Sequence, residues 1–241
     1  MATNGFSNGF ELKPGRVLVG KYVVGEMLGR GWEGEVYHVT ERATGVERAA
    51  KFFYPQRNPD NRSINFYAKK LEKLRHCPIL IQYHTQEVIR YRGQRVTFLV
   101  SDYVRGDLLS DFLAAQRGKR LHYFEALHLL HALAAGVEHI HRVREYHGDL
   151  HSDNVIVNRN GLGFDVKLVD MFEWGRATRA HLLDDVCDLV RLFYDAVGGA
   201  RTYAKQPPVV KSVCRGLKRS LIQRQYKNAR ELREHLESLP W

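Results

Sequence analysis

Apolar residues follow two rhythms along this chain. From Val17 to Val104 they form short β-branched and aromatic runs: Val17-Leu18-Val19, Tyr22-Val23-Val24, Val36-Tyr37-His38-Val39, Ala49-Ala50-Lys51-Phe52-Phe53, Thr85 to Ile89, and Val96-Thr97-Phe98-Leu99-Val100. Such runs are the signature of strands. A helical stretch over about Arg62 to Arg75 interrupts them. After Gly106 the apolar spacing changes to three and four, through Leu108, Leu109, Phe112 and Leu113, then Leu127, Leu130, Leu133, Val137 and Ile140. That spacing lines one face of a helix. The pattern predicts an α+β chain, with an antiparallel five-stranded sheet and one helix over residues 16–104 and a mainly helical part over 105–241. Residues 1–15, which open on an Asn/Gly/Ser-rich stretch, are expected to form a disordered leader.

Composition narrows the function classes. A chain of 241 residues with 44% hydrophobic and 27% charged residues has room for two packed units and the balance of a soluble protein. No run approaches the ~20 apolar residues that span a bilayer, so no membrane partner is expected. The first ten residues lack the basic and apolar regions of a secretory signal. Cys77, Cys187 and Cys214 form no C-x-x-C pair, which points to a reducing compartment and a cytoplasmic protein. A net charge of +10 raises the question of nucleic acid. The basic residues between Lys211 and Arg233, however, interleave with Leu and Ile at helical spacing, as on a solvated helix face. An acidic protein partner or substrate is therefore favoured over nucleic acid. His128, His131, His139 and His141 read as packing or surface imidazoles, since no metal-binding spacing occurs.

The chemistry concentrates in a few segments. In His147-Gly148-Asp149-Leu150-His151-Ser152-Asp153-Asn154 an Asp and an Asn precede the apolar run Val155-Ile156-Val157. Taken alone, such residues are more often turn formers than catalysts. Upstream, Gly29-Arg30-Gly31-Trp32-Glu33-Gly34-Glu35-Val36 reads G-x-G-x-x-G-x-V between two strands. A dinucleotide-binding loop would run into a helix instead. A hairpin of this kind lays bare backbone N–H groups over phosphates, because a Cβ would obstruct close approach. Lys51 sits in an apolar strand, and Val166-Lys167-Leu168-Val169-Asp170 is a strand ending in a carboxylate. Further on, Asp185-Val186-Cys187-Asp188-Leu189 opens a long apolar-periodic helix.

These elements, in this order, resemble the protein-kinase superfamily, and within it a compact bacterial kinase of the eukaryotic-like kind, over roughly residues 20 to 238. The resemblance implies a bilobal fold and in-line transfer of the ATP γ-phosphoryl group to a hydroxyl. It implies Asp149 as the group that orients the acceptor hydroxyl, Lys51 as the contact to the α and β phosphates, and His151 as a contact to the γ-phosphate. Asn154 and Asp170 would hold Mg2+ or Mn2+. Gly29, Gly31 and Gly34 would cover the triphosphate, Val36, Ala49 and Ile156 would sandwich the adenine, and backbone groups of Asp102 and Val104, beside the small gatekeeper Ser101, would read its edge.

Four departures accompany the matches. The helix position where kinases carry the Glu that pairs with the strand lysine is Tyr67, so Lys51 is either held otherwise or left mobile. Glu72 would need a large rotation of the helix to replace that Glu. Gly148 replaces the Arg that clamps a phosphorylated activation loop. Between Asp170 and Asp185 no A-P-E sequence occurs, so most of the activation segment is missing and with it a standard peptide groove. These point to a serine/threonine protein kinase that is slow or activated by a protein partner. Two rival readings stand beside it. The loop H-G-D-x-H-x-x-N is also that of small-molecule kinases such as the aminoglycoside phosphotransferases, and a nucleotide-binding pseudokinase scaffold would tolerate the loss of the Glu. Substrate and oligomeric state are not legible.

Overall fold

The computed structural model describes residues 9–161, 163–172 and 175–239. The chain divides into two compact units, the first drawn from residues up to His76 and from Ile81–Val104, the second from Cys77–Leu80 and Arg105 onward.

The first unit is a six-stranded antiparallel sheet of β1 (Val17–Leu18), β2 (Tyr22–Arg30), β3 (Gly34–Glu41), β4 (Glu47–Phe53), β5 (Tyr83–Tyr91) and β6 (Gln94–Asp102), with helix α1 (Arg62–Lys73). The strand order is β1-β2-β3-β4-β6-β5. Five strands were expected. The sixth, β1, arises because Leu18 buries its side chain and Lys21 N–H donates to Leu18 O at 2.9 Å, folding the run Val17-Leu18 back onto Tyr22-Val23. Alternation then separates two faces. Tyr37, Val39, Ala50, Phe52, Val96, Phe98 and Val100 form the core on one face. By the same alternation Val36, Ala49, Lys51, Leu99 and Ser101 lie on the other, in the registers Val36↔Lys51, Ala49↔Ser101 and Lys51↔Leu99.

The leader expected over 1–15 is corrected where it is described. Phe10 and Leu12 join the core of the first unit. Phe10 N–H donates to both oxygens of the buried Glu35 carboxylate at 3.1 Å, Leu12 N–H donates to Tyr37 Oη at 3.2 Å, and Tyr91 Oη donates to Phe10 O. The Phe10 ring stacks on Tyr54 at 5.3 Å. Composition argued for disorder in this stretch, but one aromatic and one leucine find a hydrophobic seat, and the backbone beside them finds polar partners. Phe10→Ala is expected to cost about 3–5 kcal/mol. Urea unfolding would show this as a lower midpoint with an unchanged slope, and a midpoint equal to wild type would show that the segment does not contribute to the core.

The second unit contains a small sheet, β7 (Asp107–Leu108), β8 (Val155–Asn160) and β9 (Gly163–Leu168), and the helices α2 (Leu109–Ala115), α3 (Tyr123–Arg142), α4 (Arg179–Ala196), α5 (Ala200–Tyr203), α6 (Pro208–Cys214), α7 (Arg219–Gln225) and α8 (Ala229–Glu237). Glu125 caps α3 by accepting from His122 N–H at 3.2 Å. Helix α3 buries Leu127, Leu130, Leu133, Val137 and Ile140, the residues its periodicity singles out, and packs against α4, α8 and β9. Leu168 N–H donates to Ile79 O at 2.8 Å, which ties Cys77–Leu80 to this unit.

Candidate active site

The first unit presents the glycine hairpin between β2 and β3. Gly29 pairs with Val36, and Gly31 N–H donates to Gly34 O at 2.9 Å. The three glycines differ in what they need. A Cβ on Gly34 would lie 1.8 Å from Phe52 O, so that glycine is required for β3 to approach β4. A Cβ on Gly29 or Gly31 would meet nothing within 4 Å, and neither has a positive φ. The chain's own packing therefore does not demand glycine at these two positions, whereas a phosphate group lying against the bare backbone would.

Lys51, on β4, is 8% exposed. Its ammonium lies 3.0 Å from Glu33 Oε2 and 5.2 Å from the ring centroids of both Tyr67 and Phe53. The sequence leaves open whether Lys51 finds an anion. It does, from the glycine hairpin rather than from α1, where Tyr67 offers it a ring face. Glu72 is turned away, pairing with Arg75 at 2.8 Å. At the end of β6, Ser101 is buried opposite Ala49. Asp102 N–H is spent on Gln82 O at 3.0 Å, and its carboxylate accepts from His84 Nε2 at 2.6 Å. The peptide groups of Val104 make no hydrogen bond among the described residues.

The second unit holds the loop from His147 to Asn154. Its anchor is Asp185 of α4, fully buried. Asp185 Oδ2 accepts from His147 N–H at 2.8 Å and Oδ1 from Gly148 N–H at 2.9 Å. His141 Nδ1 accepts from Ala229 N–H at 3.2 Å, which leaves Nε2 to donate to Asp185 at 3.1 Å. His141 thus does more than the packing read from the sequence, for it joins α3, α4 and the start of α8 behind the loop. The imidazole of His147 receives Asp149 N–H at 3.4 Å and donates from Nε2 to Val169 O at 3.0 Å.

Those bonds bring three of the expected residues together. Asn154 Nδ2 donates to Asp149 O at 2.8 Å and to Asp149 Oδ2 at 3.2 Å. Asn154 O receives Val169 N–H at 3.0 Å, and His147 O receives Phe172 N–H at 3.0 Å, so Asp170 is clasped against the loop from both sides. His151 belongs to the same cluster, with Nε2 at 2.9 Å from Asn154 Nδ2 and 3.6 Å from Asp149 Oδ2. Ile156 lies on β8, half-buried, between Leu108 and Lys167. Gly148, read as a lost arginine, has a φ of 84°, and a Cβ there would lie 2.9 Å from the Tyr146 ring and 3.1 Å from Phe172 O. Glycine is a backbone requirement at this position.

Asp188, one turn along α4 from Asp185, has its carboxyl pushed up to about 7, by burial first and then by the charges of Asp185 and Asp149. A carboxyl whose pKa rises on folding favours the folded chain fully below its ordinary value of 3.8, and that contribution is lost as pH rises through about 7. Asp188→Asn is therefore expected to raise the melting temperature at pH 8 more than at pH 5. An equal effect at both pH values would contradict this.

The residues suit magnesium and a triphosphate. Asn154 Oδ1 has no hydrogen-bond partner among the described residues, and Asp170, whose neighbour Val169 donates its N–H to Asn154 O, adds a carboxylate. No group of three His, Cys, Asp or Glu among the described residues could hold a metal unaided. Magnesium matches that, since it is commonly held by one or two protein oxygens together with substrate phosphates. Two residues of this arrangement were not legible as site residues. Asp185 reads as part of a helix signature, and its signal is a lone acid in an apolar stretch. Glu33 reads as filler between glycines, and its signal is an acid in a loop expected to meet phosphates.

The protein kinase domain family matches residues 22–203 of the chain. A probable serine/threonine-protein kinase of Streptomyces coelicolor is 30% identical over 158 residues, 64% of this chain and 23% of the relative. A putative CBL-interacting protein kinase 13 of Oryza sativa subsp. japonica is 29% identical over 219 residues, 82% of this chain and 40% of the relative. The chain spans less than half the length of these curated relatives. Among solved structures, the PknI kinase domain of Mycobacterium tuberculosis has a TM-score of 0.67 at 21% identity, covering 94% of this chain and 98% of that one, a likeness of fold. These matches are to protein kinases, so the small-molecule reading is not favoured. With most of its length matched and a bilobal α+β architecture to go with it, the chain belongs to the protein kinase domain family.

Proposed function

We propose that the chain is an ATP-dependent serine/threonine protein kinase, acting on protein hydroxyls in the cytoplasm. The observation that carries this is the bonding of Asp149 to Asn154 in a loop anchored by a buried carboxylate, with the segment that carries Asp170 tied to that loop on both sides. Bound ATP with magnesium supplies the γ-phosphoryl group and spreads its negative charge. Asp149, its side chain about half exposed, orients the acceptor hydroxyl and takes its proton. Asn154 and Asp170 direct oxygens to the metal. Lys51 contacts the α and β phosphates, while Gly29, Gly31 and Gly34 cover the triphosphate. Val36, Ala49 and Ile156 flank the adenine, and the backbone at Asp102 and Val104 reads its edge. His151, already within the loop's hydrogen bonds, contacts the γ-phosphate. Little covalent chemistry is asked of the protein, because positioning and charge neutralisation carry phosphoryl transfer.

Cytoplasmic location is supported by three free, buried cysteines and by the absence, among the described residues, of a helix long and apolar enough to cross a membrane. The short segment between Asp170 and Asp185 supports an unconventional protein substrate or an activating protein partner. The test is transfer of labelled γ-phosphate, with magnesium or manganese, to the chain itself and to a basic protein acceptor, with Asp149→Ala in parallel. Label that depends on Asp149 is expected. ATP binding without label would leave a nucleotide-binding scaffold.

A further inference from the structure

Lys51 is a buried ammonium in a protein whose helix α1 gives it no carboxylate, because Tyr67 occupies the position. Burying an ammonium costs free energy unless an anion accompanies it. Aromatic faces attract a cation but do not set its direction as a hydrogen-bonding carboxylate does. We propose that Glu33 supplies the charge that α1 lacks, and is the positioning residue that aims Lys51. This rests on Lys51 being the phosphate contact proposed above.

Glu33 is built for that task. Although it lies in the glycine hairpin, just outside β3, its backbone is tied down: Tyr54 N–H, one residue past β4, donates to Glu33 O at 2.9 Å, and the next residue, Gly34, packs against Phe52 O too closely for any side chain. The carboxylate therefore starts from a fixed point across from Lys51, at 3.0 Å, and remains 35% exposed. The neighbouring acid is committed elsewhere. Glu35 is fully buried and bonded to Phe10 N–H, Tyr37 Oη at 2.5 Å, Tyr54 Oη at 3.0 Å and Arg30 Nε at 2.9 Å. Glu72 is bound to Arg75. The hairpin that covers the triphosphate thus also aims the ammonium that receives it. The opposite arrangement would be a latch, in which Glu33 withholds Lys51 from phosphate.

Two measurements on Glu33→Gln separate these arrangements. In the transfer assay, a positioning role predicts a fall in kcat of about tenfold or more, recovered in large part when Tyr67→Glu is added to return a carboxylate from α1. A latch predicts tighter ATP binding with kcat equal or raised, and that result would overturn the proposal. The second measurement needs no turnover. It is the rate at which an N-hydroxysuccinimide acetate reagent acetylates Lys51 without nucleotide, read by peptide mass. Loss of a neighbouring carboxylate lowers an amine's pKa, and each unit is about tenfold in neutral amine, so Glu33→Gln is expected to react several-fold faster than wild type and the double variant to react more slowly again. Equal rates would overturn the pair itself. Altered labelling in a chain that transfers no phosphate would instead retain the pair and reject the kinase activity.

Discussion

Asp149→Asn is expected to lower kcat by about 10²–10⁴ while leaving ATP affinity within a few-fold. The substitution keeps the shape of the side chain and one acceptor for Asn154 Nδ2, now at 3.2 Å from Asp149 Oδ2. The loop backbone is held by His147 and Asp185 and does not depend on the charge of Asp149. What the amide cannot do is accept the proton of the acceptor hydroxyl. Steady-state turnover beside ATP titration by calorimetry would check both halves. Turnover equal to wild type would remove Asp149 from the mechanism, and a matching loss of ATP affinity would make it a binding residue instead.

Asp185→Ala should lower stability and transfer together. The carboxylate is fully buried and accepts from His147 N–H, Gly148 N–H and His141 Nε2. Deleting it leaves those donors buried with this acceptor gone, and removing one partner of such a network typically costs about 3–5 kcal/mol. At about 2–4 °C per kcal/mol for a chain of this size, the melting temperature should fall by roughly 6–20 °C. Transfer should fall as well, since the loop carrying Asp149 loses its anchor. A melting temperature within a degree of wild type would show that the loop is held by other contacts.

Asp149, Asn154 and Asp170 were singled out by the resemblance to protein kinases, and the structure bonds Asn154 to Asp149 and ties the residues on either side of Asp170 to the same loop. The strand runs and the long periodic helices also formed where the pattern placed them, since side-chain period is a property of local backbone geometry. Element count was less secure. Strand β1 is two residues long, and only its pairing with β2 makes it a strand. Residues 1–8 of the leader lie outside the described residues, and the part from Gly9 on was misread for a related reason. Its Asn, Gly and Ser content describes the unfolded chain, whereas the seat for Phe10 is made by residues far downstream.

What this sequence determined by itself is the two-part α+β organisation, the glycine hairpin, the lysine strand and the catalytic-loop pattern, because each is encoded within a few turns or strand residues. What only the tertiary structure decided is partner choice. Glu33 meets Lys51 across a separation of 18 residues, Glu35 meets Phe10 across 25, and Asp185 meets Gly148 across 37. A buried charge or peptide group must be paired, but the sequence states only the requirement. Strand register, hairpin geometry and the packing of α3 against α4 select which side chain meets it, and those follow from the burial of many residues at once.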